Sequence, residues 1–192
     1  HHKIMAEKFE GFASGKIKRL IINMPPRHTK SEFGSYLLPA WMMGKFPHRK
    51  IIQSSHTADK ALEFGRKVRN LVAAPQFRAV FPDVSLQADS KAAGKWSTNK
   101  GGSYFAVGVG GAVAGYGGDL IVIDDPHSEQ DGKNLNSDAF DSTYDWYMTG
   151  PRQRLQPGRA ILLIMTRWSK RDLTGRLLDY AVKNPDADQW EV

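Results

Sequence analysis

Short apolar runs alternate with stretches of helical periodicity along this chain, and that alternation leaves few architectures open to it. Leu20-Ile21-Ile22-Asn23-Met24, Lys50 to Ser55, Leu120 to Ile123 and Ala160 to Met165 are strand-sized and rich in β-branched residues. Helical spacing fills the intervals. Ile4, Met5, Phe9 and Phe12 recur over residues 3–14, and Ser31 to Met43 reads as a helix disturbed near Pro39. Ala58 to Ala73 carries Ala61, Leu62, Val68 and Leu71 on one face and ends before Pro75. Two more helices are predicted around Ser137 to Met148 and roughly Lys170 to Val182. Strands alternating with helices predict an α/β fold, a mainly parallel sheet covered by helices on both faces.

In such sheets ligands lie beyond the carboxyl ends of the strands. The residues that follow the strands are therefore the candidates for chemistry: Pro25 to Ser31, Ser54 to Thr57, Asp124 to Glu129 and Thr166 to Trp168. Elsewhere the pattern is looser. Residues 76–95 read as irregular. Lys95 to Thr98 and Ser103 to Val107 flank Asn99-Lys100-Gly101-Gly102 as a hairpin. Gly108 to Gly118 holds six glycines in eleven residues and reads as a flexible loop or tight hairpin. It precedes a strand instead of joining strand to helix, which excludes a dinucleotide loop.

Composition removes several function classes. The chain has no cysteine, so disulfides and thiolate metal sites are excluded. No apolar run approaches the roughly 20 residues that span a bilayer, so no membrane partner is expected. Lysine and arginine number 27 against 20 acidic residues, a formal charge of +7. That excess suits a polyanionic partner, nucleotide or nucleic acid. No Ser-His-Asp set and no metal-ligand cluster has the right spacing.

Pro25-Pro26-Arg27-His28-Thr29-Lys30-Ser31 follows a buried strand and opens a helix. A lysine and a hydroxyl at that junction suit a phosphate and its Mg²⁺, because the helix start presents unpaired N–H groups and the positive dipole end. The usual pattern places glycines at positions 24 and 29, where this chain has Met24 and Thr29. The plain alternative is a helix start capped by Thr29 or Ser31. Asp124 and Asp125 end an apolar strand, where one acid can hold Mg²⁺ and another can polarise a water. Glu129 is near enough in sequence to compete with Asp125 for the second role. Thr166 ends a further strand and is placed to sense a terminal phosphate. Arg152, Arg154 and Arg159 cluster in one segment and are candidates for transition-state charge stabilisation or DNA contact.

Taken together, Met24 to Glu32, Ile123-Asp124-Asp125-Pro126, Met165-Thr166-Arg167-Trp168 and Asp172-Leu173-Thr174-Gly175 resemble the large terminase subunit of tailed bacteriophages. The resemblance runs from His2 to about Leu178. It implies a P-loop NTPase with a RecA-like sheet, hydrolysing ATP with Mg²⁺ to drive viral double-stranded DNA into a procapsid. It implies that Pro26, Arg27, His28, Thr29, Lys30 and Ser31 hold the nucleotide and that Ser31 and Asp124 hold Mg²⁺. Asp125 stands where many relatives carry glutamate, so Asp125 and Glu129 both stay open as the water-positioning acid. Thr166 falls in the coupling motif, and Arg154 is the candidate finger offered to a neighbouring subunit. The implied partners are DNA, a portal protein, a small terminase subunit and further copies in a ring, in the host cytoplasm during virion assembly. The expected organisation is one ATPase domain over residues 1–192, without the nuclease domain of the family, and so without DNA cleavage. The rival expectations are another P-loop nucleic-acid motor of helicase or recombinase type, and a DNA-binding or assembly module with a decayed nucleotide site.

Overall fold

The structure is a computed structural model and describes residues 1–134 and 138–192. Seven strands form one sheet: β1 (Arg19–Asn23), β2 (Lys50–Ser55), β3 (Leu86–Lys91), β4 (Lys95–Thr98), β5 (Ser103–Gly108), β6 (Gly118–Asp124) and β7 (Leu155–Met165). Their spatial order is β1-β7-β6-β2-β5-β4-β3. The pairs among β1, β7, β6, β2 and β5 are all parallel, whereas β4 and β3 add an antiparallel edge. The expected mainly parallel sheet is present. Its last strand in sequence, β7, is inserted between the first, β1, and the acid-bearing β6.

Period-two alternation explains why both faces are covered. Leu20, Ile51, Leu120, Val122, Leu162 and Ile164 point to one face, where they pack with α1 (His2–Ala13), α2 (Leu38–Lys45) and α3 (Ala58–Ala73). Ile21, Ile52, Ile121, Ile123, Ile161, Leu163 and Met165 point to the other. There they meet Tyr147 of α6 (Ala139–Thr149) and Leu173 and Leu177 of α8 (Leu173–Lys183). Strands buried on both sides read as continuous apolar runs, which is why β6 and β7 are so easily found in the sequence. The predicted start of α6 at Ser137 lies outside the described residues.

Several expectations change. The disturbance near Pro39 takes the form of a π-helical stretch, Glu32–Leu37, leading straight into α2. Pro39 has no N–H to offer the carbonyl four residues back, and the wider turn accommodates that gap. Residues 76–95 are not irregular, since they include most of α4 (Pro75–Val80) and all of β3. Pro75 starts a helix as well as ending one, because its fixed φ suits a first helical position. The glycine-rich stretch is neither hairpin nor loose loop. It carries the chain from the end of β5 to the start of β6, passing β2. It packs through Val113, through the stack of Tyr116 on Phe105, and through a hydrogen bond from Trp146 Nε1 to the Gly111 carbonyl. The polar loop after β6 contains α5 (Glu129–Lys133), closed by a reciprocal Ser128–Asp131 capping box. A short helix, α7 (Pro151–Arg154), precedes β7. Among the described residues no helix is long and apolar enough to cross a membrane.

Candidate active site

The carboxyl ends of β1, β7 and β6 lie side by side, and the polar residues after them meet. Lys30 opens the helix that follows β1 and is buried, unlike the exposed Pro25 to Thr29 before it. Its Nζ forms a 2.9 Å ion pair with Asp125 Oδ2. Ser31 Oγ donates to Asp124 Oδ1 at 2.9 Å, and Ser35 Oγ, one helical turn later, donates to Asp124 Oδ2 at 2.8 Å. The Thr166 amide donates to Asp125 Oδ1 at 2.8 Å, and the Thr166 hydroxyl donates to the Met24 carbonyl. The inserted β7 thus ties the lysine loop to the acids. Gly34 lets the helix lie this close, because a Cβ there would come within 2.0 Å of Ile164 Cδ1.

Backbone strain is concentrated in this cluster. The three non-glycine residues with positive φ among those described are Arg27 (63°), Thr29 (61°) and Asp125 (42°). For a β-branched residue such as threonine the left-handed region is a genuine outlier. Strain of this kind persists where surrounding structure imposes it and tends to mark functional sites. Thr29 therefore holds a backbone conformation that glycine adopts without strain. Left-handed residues alternating with others form anion-binding concavities of backbone N–H groups.

The capping alternative does not describe this helix start. Thr29 Oγ1 donates to the His28 carbonyl at 2.6 Å and also bonds His2 Nε2, and no side chain caps the helix at Ser31. His28 Nδ1 lies 2.8 Å from the Pro26 carbonyl.

Asp124 is almost wholly buried. Burial, and after it the charge of Asp125, push its pKa from 3.8 up to about 6, against the hydroxyl bonds of Ser35 and Ser31 and the charge of Lys30. A buried carboxylate held from both sides by hydroxyls is poised to accept a cation. Ser31 and Asp124 supply hard oxygens of the kind Mg²⁺ prefers. Among the described residues no group of three or more His, Asp or Glu could hold a metal alone. Mg²⁺ is usually bound by one or two carboxylates together with substrate phosphates. The donor set fits a Mg²⁺–nucleotide.

Two sequence candidates stand apart from this cluster. Glu129, the first residue of α5, is 71% exposed and pairs with Lys133 on its own helix. Arg154 ends α7; its Nε is buried without a partner, whereas Arg152 pairs with Asp188 and Arg159 with Asp119. Two other residues escape sequence reasoning. Ser35 belongs to no motif, and its one signal is a polar residue in an otherwise apolar helix segment. Asp172 is fully buried and gathers Trp168, Ser169 and Gly175 amides and the Arg167 guanidinium. It fixes the loop after β7 to the start of α8. His127 makes a second tie, accepting the Leu173 amide at Nε2. Burial lowers the His127 pKa, against the charges of Asp172, Asp131 and Asp125.

No protein-family model matches the chain, and no curated protein sequence matches it. Among solved structures it is similar to the large terminase of bacteriophage HK97, with a TM-score of 0.57 and 16% sequence identity. The similarity covers 88% of this chain and 34% of that one, so the chain spans about a third of that terminase. With its inserted strand, its two helical layers and its strand-end cluster, the chain has a RecA-like, terminase-like α/β fold.

Proposed function

We propose that this chain is a Mg²⁺-dependent ATPase module whose turnover drives translocation of double-stranded DNA, as in viral genome packaging. One observation carries the reading: Lys30 and Ser31, at the start of the helix after β1, meet Asp125 and Asp124, at the end of β6. A lysine for phosphate, a hydroxyl and an acid for the cation, and a second acid beside them form a complete minimal set for phosphoryl transfer to water.

The geometry divides the roles. Lys30 exchanges Asp125 for the β- and γ-phosphate oxygens when nucleotide enters, which is a move between two anions for one cation. Asp125 keeps the Thr166 amide on Oδ1, and its freed Oδ2 turns to the attacking water. Ser31 and Asp124 would hold the cation, which would supply charge neutralisation on the phosphates. Pro26, Arg27, His28 and Thr29 wrap the phosphates through backbone and charge. Asp125 touches the lysine and Glu129 does not, so Asp125 is favoured as the water-positioning acid. Its positive φ suits an aspartate, since aspartate and asparagine are enriched in that region.

Arg154, half-buried with an unpartnered Nε, suits a finger supplied to a neighbouring copy in a ring. The translocation reading draws on the terminase-like fold and the +7 charge. It carries with it a portal protein and a small terminase subunit as partners and the host cytoplasm as the place of action. ATP turnover in the presence of long double-stranded DNA is the test. Lys30→Ala should abolish it, and unchanged turnover in that variant would sink the proposal.

A further inference from the structure

Ser55 closes β2 and is the register partner of Asp124 on the adjacent parallel strand. Paired residues of parallel strands face the same side of the sheet. Ser55 is fully buried beside a carboxylate that is itself 3% exposed, yet its hydroxyl has no hydrogen-bond partner among the described residues. Both Asp124 oxygens are taken by Ser31 and Ser35. The neighbouring Ser54, on the opposite face, bonds the Val122 carbonyl instead.

The same condition recurs around Ser55. Gln53, two residues earlier on its face, has an unpartnered Oε1, and Tyr104 on β5 has an unpartnered hydroxyl. Burial, and after it the charge of Asp124, push the Tyr104 pKa well above its ordinary value, so that hydroxyl lies within the carboxylate's field. Buried polar atoms are rarely left unpaired, and a cluster of them marks a place for ordered water. A strand buried between β5 and β6 has no packing reason to carry Gln53 and Ser55 where valine or isoleucine would serve.

We propose that Ser55 is a positioning residue for the divalent cation, its hydroxyl holding a water of the hydration shell of Mg²⁺ bound at Ser31 and Asp124. Gln53 and Tyr104 extend the wet polar track behind it. The proposal rests on the nucleotide reading above. Outer-shell partners of a metal typically change its affinity by about 10–100-fold when removed.

The test compares wild type, Ser55→Ala and Ser55→Thr. Mn²⁺ uptake in the presence of ADP is followed by electron paramagnetic resonance, ADP binding in excess chelator by calorimetry, and ligand-free stability by thermal unfolding. Ser55→Ala should weaken Mn²⁺ binding about tenfold. It should leave ADP binding in chelator unchanged and leave the unfolding temperature equal or higher, because an orphaned hydroxyl is removed. Ser55→Thr keeps the hydroxyl and should restore Mn²⁺ affinity. Equal Mn²⁺ affinity in wild type and Ser55→Ala overturns the assignment, as does a loss that also lowers stability and ADP binding. A wild type that takes up no Mn²⁺ with ADP overturns the nucleotide reading itself, an outcome distinct from both.

Discussion

Lys30 and Asp125 are ion-paired at 2.9 Å, and the pair joins the helix after β1 to the end of β6 across the inserted β7. Lysine and acid are both committed to each other, so under the proposed function a phosphate taken up by Lys30 has to compete with Asp125. Removing the acid's charge therefore has two opposite effects. Asp125→Asn should lower kcat by about 10²-fold or more, since a positioned acid or base contributes about 10²–10⁴. It should also tighten nucleotide binding several-fold, because Lys30 is released. Asparagine tolerates the left-handed backbone at this position, so the fold is kept. Steady-state turnover and calorimetric ATP titration check both arms. Glu129→Gln, at an exposed site paired only with Lys133, should leave both within about twofold. Loss of hydrolysis in Glu129→Gln alone, with binding intact, would return the role to Glu129.

Asp124 sets a pH dependence of stability. Its folded pKa of about 6 lies above its ordinary 3.8, so the folded protein binds the proton more tightly than the unfolded chain. Stability from this group is fully present below about pH 4 and is lost as pH rises through 6. At pH 8 the buried charge costs about 3 kcal/mol. Asp124→Asn should therefore unfold several degrees higher than wild type at pH 8, and at nearly the same temperature at pH 4. A difference of the opposite sign would show that Ser31 and Ser35 outweigh the burial of the charge.

The same shift predicts proton release. A cation bound at Asp124 stabilises its ionised form, so Mg²⁺–nucleotide binding near pH 6 should release about half a proton. Calorimetric titrations in two buffers of different ionisation enthalpy measure it directly. Release should fade at pH 8, where Asp124 is already ionised. Equal heats in the two buffers at pH 6 would mean that the cation does not reach Asp124.

Thr29 offers a test of the strained loop. A left-handed L-residue costs roughly 1–2 kcal/mol, most for a β-branched one. Thr29→Asn relieves part of that cost without the chain entropy of glycine, and should raise stability by about 1 kcal/mol while keeping the loop shape. Urea unfolding measures it. A destabilisation of similar size would mean that the hydroxyl bonds to His28 and His2 outweigh the strain.

The core strands and the strand-end acids were legible because burial on both faces writes itself as continuous apolar runs in β6 and β7. The place of Lys30 and Ser31 was legible because they follow a buried apolar run and open a helical one. Conformation was not: nothing in the letters of Thr29 or Asp125 announces a positive φ, which the packing around them imposes. Ser35 was hidden because the π-helical stretch sets which positions of that helix face β6. The packing of the glycine-rich crossover was hidden because six glycines suggest looseness, while Val113 and Tyr116 between them anchor it. Competition between Asp125 and Glu129 could not be decided by distance in sequence, because α5 carries Glu129 out to solvent.

Asp172 carries the last prediction. Its buried carboxylate accepts the Trp168 and Ser169 amides and the Arg167 Nε on one side, and caps α8 through the Gly175 amide on the other. Trp168 lies against Gly132 of α5, where a Cβ would come within 2.3 Å of its ring. The loop that follows Thr166 is thus held to α8 by one side chain and rests on α5 by another. Asp172→Ala removes the cap and leaves two amides unpaired, and should cost about 2–4 kcal/mol in chemical unfolding. Asp172→Asn keeps one acceptor for the cap and should cost about half of that. Because the Thr166 amide holds Asp125, loosening this loop should lower kcat in Asp172→Asn more than it weakens ATP binding. A variant that loses stability while keeping full kcat would confine Asp172 to holding the fold.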